Sequence, residues 1–281
     1  MANEARQAAS KAARGAESAA KGTARTVQGN PAYRALVKVG IAAYGLVHLL
    51  IGWLALRLAF GERDAEASNT GALKELAGTP GGAVLLWAIG IGLLALVVWQ
   101  GIAALVGYQE FDGFKRVRKR LGALGRTVVY GALGASAIGV ALGDRSGGDT
   151  EQSVTAELMS MPFGPWLVAA VGIGVIVFGV VRIVKGVRGK FNEEIETELT
   201  GAPRWFAAAG WVAKGVALSL VGSLFIVAAF ARDPDEAGGM DAALTALLEH
   251  PGGVVALVAL GIGIGCFAGW CWYLLRHAKH A

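Results

Sequence analysis

The chain has 281 residues, with 26 Lys and Arg against 21 Asp and Glu for a formal charge of +5. Only 17% of it is charged, 54% is hydrophobic, 42 residues are glycine and the mean hydropathy is +0.52. Soluble domains rarely look like this, so the composition excludes a soluble globular protein and points to an integral membrane protein.

Residues 1–34 are Ala-rich and basic with scattered Glu and Ser. They lack the apolar core of a signal peptide and read as a cytoplasmic extension. Two states are open for it: disorder, or an amphipathic surface helix, weakened by the lack of bulky apolar residues along one face. The first stretch able to cross a hydrocarbon core, which takes about 20 mainly apolar residues, is 36–60. Five more follow, at 83–107, 122–143, 165–187, 205–230 and 253–275. Between the members of each pair, Leu73, Leu76 and Ala77, then Val154, Leu158 and Met161, then Met240, Leu244 and Leu247 recur at helical intervals with charged residues between them. Each set predicts a short amphipathic helix on the outer membrane surface. Asn69 or Thr70, Ser153 and Asp241 are the cap candidates, and Pro80, Pro162 and Pro251 supply the stops.

The same punctuation occurs three times. Pro80-x-Gly82 precedes Gly90-Ile91-Gly92, Pro162-x-Gly164 precedes Gly172-Ile173-Gly174, and Pro251-x-Gly253 precedes Gly261-Ile262-Gly263, at equal spacing. The chain therefore divides into the extension 1–34 and three copies of one unit, 35–110, 111–190 and 191–281, the last ending in a short cytoplasmic tail. The predicted fold is all-α and polytopic: six transmembrane helices as three two-helix repeats with short outer amphipathic helices. Two crossings per copy make the repeats parallel, and a pseudo-threefold bundle is the natural packing. Gly90, Gly92, Gly172, Gly174, Gly261 and Gly263 are read as helix-packing residues, because glycine lets membrane helices approach closely.

Lys and Arg fix the orientation. Seven lie in residues 1–38, six between Lys115 and Arg126, five between Arg182 and Arg204 and two in the tail, against five in the other three connections. Both termini are then cytoplasmic. The charge is a topology signal and not a nucleic-acid footprint, and the basic inner face attracts anionic lipid headgroups at about 1 kcal/mol per residue close to the surface.

The first helices align at Tyr44-Gly45, Tyr130-Gly131 and Lys214-Gly215, and eight residues past each Gly-Ile-Gly stand Gln100, Arg182 and Cys271. Three units built from a Gly-containing first helix, a short amphipathic segment ending in Leu or Met, Pro-x-Gly and a Gly-rich second helix resemble the bacterial membrane family called domain of unknown function (DUF) 1206, over about residues 35–275. The resemblance implies a six-helix, multi-pass protein of the bacterial plasma membrane and assigns no substrate, reaction or catalytic residue. Related copies often carry Arg or Lys before the first-helix Gly; here only Lys214 keeps that charge.

Ionisable residues inside spans are costly and mark candidate sites. His48, on one face with Tyr44 and Gly52, is either a proton relay or ligand-binding group or a neutral imidazole in one interhelical hydrogen bond. Lys214 either attracts an anionic substrate or lipid headgroup or snorkels to the cytoplasmic interface. Tyr44, Gln100, Tyr130 and Arg182 complete the candidate ligand-binding or proton-relay set. Arg57, beside Glu62, and Arg182 read as anchors of helix ends, Gln100 as an interhelical hydrogen bonder, and the eight tryptophans mostly as an interfacial belt.

Gly-Ile-Gly is not a dinucleotide loop, because it lies inside apolar spans without the strand and exposed turn that chemistry requires. His48 has no second intramembrane imidazole for haem, and Cys266 and Cys271 face different ways on one helix and read as packing residues. No cofactor, metal or catalytic residue is expected. The leading reading is a non-enzymatic scaffold, accessory subunit or lipid-organising protein, whose partners are the bilayer, anionic lipids at the cytoplasmic face and a membrane protein. The alternative is a small-solute transporter or channel with a central site between the three repeats.

Overall fold

The computed structural model describes residues 31–62, 66–106, 108, 113–143, 150–195 and 198–277; residues 1–30 of the basic extension lie outside the described residues. These fold into helices α1 (Pro31–Ala59), α2 (Asn69–Ala77), α3 (Gly82–Val106), α4 (Gly113–Ala141), α5 (Thr150–Met159), α6 (Gly164–Val187), α7 (Gly201–Ala231), α8 (Met240–Leu248) and α9 (Gly253–His277), with no strand among the described residues. Six of them, α1, α3, α4, α6, α7 and α9, are long and apolar enough to cross a membrane. The order long, short, long recurs three times, so the chain is an all-α, multi-pass membrane protein of three two-helix repeats.

Two compact units are present among the described residues: one holds those of 31–40 and 89–135, the other those of 41–88 and 136–277. In the second unit α9 is the central element, with 56% of its crossing window buried against 17% for α6. The apolar face that α6 leaves exposed, with Ile173, Val177 and Val181, is the surface a bilayer covers.

Helix α4 starts earlier than hydropathy predicts, at Gly113 and not near 122. The run Lys115–Arg120 is too polar to count as a span, yet Lys and Arg are good helix formers and no Gly or Pro interrupts 114–121. The cap of α2 also sits one residue before the expected Asn69: Ser68 Oγ accepts the Gly71 amide at 2.9 Å. Asp241 does not cap α8, whose N-cap is Gly239. Its carboxylate instead accepts the amide of Ala67 at 2.6 Å and ties the start of α8 to the lead-in of α2. Helix α5 already begins at Thr150, so Ser153 lies within its first turn.

All three Pro-x-Gly sites make one kind of turn. The amide of Gly82 bonds the Thr79 carbonyl at 2.9 Å, that of Gly164 the Met161 carbonyl at 2.8 Å, and that of Gly253 the His250 carbonyl at 2.9 Å. The middle residue has positive φ each time: +80° at Gly81, +63° at Phe163 and +82° at Gly252. Proline followed by positive φ is the type II arrangement. The third residue is glycine for a separate reason. A Cβ on Gly82, Gly164 or Gly253 would run into the carbonyl oxygen of Leu76, Leu158 or Leu247, at the end of the preceding short helix.

Glycines also bring long helices into backbone contact. A Cβ at Gly172 of α6 would lie 2.8 Å from the carbonyl oxygen of Gly222 of α7, and one at Gly179 would lie 2.6 Å from that of Gly215. Seven residues are close to two helical turns, so both contacts belong to one seam. Gly261 of α9 meets Gly52 of α1 in the same way, at 3.0 Å. Gly263 faces the Ala213 methyl, and the carbonyl of Gly90 lies 3.5 Å from a Cβ built on Gly134. The second glycine of the motif behaves differently in two copies: a Cβ at Gly92 or Gly174 would meet nothing within 4 Å.

Arg57 holds the end of α1 to α2 by bonding Glu62 at 2.6 Å and Glu75 at 3.2 Å, as expected of an anchor. On the basic side, the connection before α7 folds under the helices. A 3-10 turn at Lys190–Glu194 places Phe191 against Trp270 at 5.1 Å. The Asn192 amide clips the backbone of Leu199 in both directions, at 3.2 and 3.3 Å. The resulting core joins Phe191, Ile195, Ala207, Trp211, Phe267 and Trp270.

Candidate functional site

The site is built on α1, α7 and α9. Tyr44 and His48 stand one turn apart on the same face of α1. His48 Nδ1 lies 2.8 Å from the carbonyl oxygen of Tyr44. A carbonyl only accepts, so Nδ1 carries the hydrogen and Nε2 of the neutral ring presents a lone pair. That lone pair faces the ammonium of Lys214 from α7, with Nζ 2.6 Å from Nε2. Lys214 also bonds the Tyr44 hydroxyl.

Aromatic rings close the cluster. Lys214 Nζ is 4.3 Å from the centroid of Tyr44 and 4.2 Å from that of Phe267 of α9, distances at which the ring quadrupoles attract a cation. The ring centroid of Phe267 lies 5.1 Å from that of His48 and 5.5 Å from that of Trp211. His48 and Lys214 are each 7% exposed. Lys214 therefore does not snorkel; its stem delivers the ammonium into the interior of the unit.

Arg182 of α6 also packs on Trp211. Its guanidinium carbon lies 5.3 Å from the Trp211 ring and 4.6 Å from Phe178. Lys185, one turn further along α6, places Nζ 4.0 Å from the same indole. Arg182 is thus turned onto a buried ring and is more than an anchor for the end of α6. Its Nε and the Trp211 Nε1 are buried without hydrogen-bond partners.

Of the six polar residues singled out in the sequence, Tyr44, His48 and Lys214 touch one another and Arg182 stands one indole away. Gln100 and Tyr130 belong to the other compact unit, where the Gln100 carbonyl oxygen is buried without a donor. Sequence reasoning missed Phe267, which no pattern distinguishes from its apolar neighbours. It also placed Trp211 and Trp270 in an interfacial belt, whereas they are 7% and 3% exposed within the core.

Neither of two surface cavities includes the Lys214 cluster. One, of about 420 Å³, is lined by Phe163, Trp166, Phe230 and Arg232. The other, of about 380 Å³, is lined by Ala202, Phe206, Gly269 and Tyr273. Among the described residues no three His, Cys, Asp or Glu side chains come together as metal ligands. The arrangement can hold a buried cation and pass a proton between Lys214 and His48.

Comparison with known proteins follows the repeat. The domain described as Domain of Unknown Function (DUF1206) matches three times, at residues 39–107, 121–189 and 209–274. The uncharacterized protein YxxB of Bacillus subtilis (strain 168) is 34% identical over 233 residues, covering 81% of this chain and 84% of that protein. No solved structure matches. With three domain matches spread over most of its length and a relative aligned across most of its own, the chain belongs to the DUF1206 family.

Proposed function

We propose that this protein is a non-enzymatic scaffold, accessory subunit or lipid-organising protein of the bacterial plasma membrane, with its termini and basic side in the cytoplasm. One observation carries the reading: the three polar side chains that meet inside the unit, Tyr44, His48 and Lys214, are used up on one another. Tyr44, His48 and Lys214 bond mutually against the ring of Phe267 and line neither surface cavity. A translocation site needs polar groups that face water on at least one side of the membrane. The twenty-to-five distribution of Lys and Arg supports the orientation.

The transport alternative draws on the convergence of those same three residues. It requires α1 and α7 to part, breaking both hydrogen bonds of Lys214. Liposomes containing only this protein separate the two readings. The scaffold reading expects no solute flux and expects gentle extraction followed by native mass spectrometry to retain a protein partner or one lipid class. Flux that disappears in His48→Ala would overturn it.

A further inference from the structure

The contact between α6 and α7 contains donors with nothing to donate to. Arg182 Nε–H and Trp211 Nε1–H are both buried without an acceptor, and buried N–H groups left unsatisfied are strongly disfavoured. Positive charge accumulates at the same place. Arg182 and Lys185 lie against the Trp211 ring, and Lys214 lies against Phe267, the ring that packs on Trp211. Among the described residues neither Arg182 nor Lys214 has an ion pair; those found join Arg57 to Glu62 and Glu75, and Lys74 to Glu66, far along the chain at the acidic side.

We propose that Arg182 and Trp211 form an oxyanion site that binds a phosphate group, with Lys185 and Lys214 supplying the surrounding field. The chemistry follows from the donor set. A planar guanidinium matches the spacing of two phosphate oxygens, and the indole N–H adds a donor of fixed direction. The depth is also suitable. Arg182 is five residues from the end of α6 at Val187, about 7–8 Å along the axis at 1.5 Å per residue. That places it about one and a half turns inside the span from its basic end, and basic pockets between membrane helices on that side take lipid phosphates. The phosphate belongs either to an anionic lipid or to a soluble phosphate ester. The lipid source rests on the lipid-organising version of the function proposed above; the site itself does not.

The test uses the full chain in detergent. Quenching of tryptophan fluorescence and native mass spectrometry follow titration with short-chain phosphatidylglycerol, with phosphatidylcholine and with inorganic phosphate. Wild type should bind one phosphatidylglycerol, or one phosphate, at least tenfold more tightly than phosphatidylcholine. Arg182→Gln should weaken that binding tenfold or more. Trp211→Phe, which keeps a ring in the core and removes only the N–H, should weaken it several-fold; it remains informative if Arg182→Gln fails to fold. Arg188→Gln, on the exposed turn after α6, should leave it unchanged. Binding of phosphatidylglycerol alone assigns the site to a headgroup, and competition by inorganic phosphate assigns it to a soluble ester. Binding that is absent, indifferent to headgroup, or equal in wild type, Arg182→Gln and Trp211→Phe overturns the site. Solute flux with phosphate binding intact would instead refute the scaffold reading and leave the site standing.

Discussion

Replacing Gly172 by Ala introduces a methyl group 2.8 Å from the carbonyl oxygen of Gly222, 2.9 Å from Ile226 Cγ1 and 3.1 Å from Phe225 Cβ. An ordinary carbon–oxygen contact is near 3.4 Å, so the helices must separate locally by about 0.6 Å, and overpacking of that kind costs about 1–3 kcal/mol. Tilting offers no relief, because Gly179 and Gly215 touch two turns away on the same seam, where a Cβ would come within 2.6 Å. Two residues further along the same motif, Gly174→Ala meets nothing within 4 Å. It removes only backbone freedom and should leave stability unchanged or raise it by up to about 1 kcal/mol. Thermal unfolding of both variants in one detergent, followed by the fluorescence of buried Trp211 and Trp270, should place Gly172→Ala below wild type and Gly174→Ala at or above it. Equal midpoints, or the reverse order, would refute the seam.

Three further outcomes are expected. Gly252→Ala, at φ +82° with open space around it, should lose about 1 kcal/mol from backbone strain alone; Phe163→Gly should gain up to that amount, and both are read from the same unfolding curves. The carboxyl of Asp241 is pushed above its ordinary 3.8 by burial, with the charge of Glu66 adding to the effect, while the Ala67 amide and Lys74 oppose it. The folded state therefore holds that proton more tightly than the unfolded chain, and the stability it contributes is full below 3.8 and lost as pH rises through the elevated value. Asp241→Asn keeps an acceptor for Ala67 and should flatten that slope, as measured by unfolding midpoints across the acidic range. Finally, His48→Leu and Lys214→Met should each cost about 1–3 kcal/mol by stranding a buried partner. The double variant should cost at least about 1 kcal/mol less than their sum, and strictly additive losses in denaturant titrations would show that the two side chains do not interact.

Local and global information were unevenly legible in this chain. The six spans stood out because each is a long apolar stretch, and the short helices because Leu and Met recur at helical intervals, so both needed only neighbours along the chain. The basic start of α4 stayed hidden, since hydropathy reports partitioning while Lys115–Arg120 is helical by propensity. Gly172 and Gly174 are identical to any sequence pattern and differ only in which face of α6 meets α7. The pairing of His48 with Lys214 spans 166 positions. Each residue could be flagged singly for the cost of burying it, but no periodicity says that they meet. Ser68 was missed by one residue for a plain reason: three neighbouring polar residues can all cap, and only the backbone chooses.

The Pro-x-Gly turns have a mechanical consequence. In each copy proline fixes one torsion, a left-handed residue reverses the chain, and glycine seats the next helix against the carbonyls of the short one. Such an elbow has almost no slack. The short helix then behaves as a handle on the long helix that follows it, and anything that lifts or presses α5 or α8 tilts α6 or α9 with it. A spin label on the exposed face of α8 would report the angle of α9 inside the bilayer without any probe placed there.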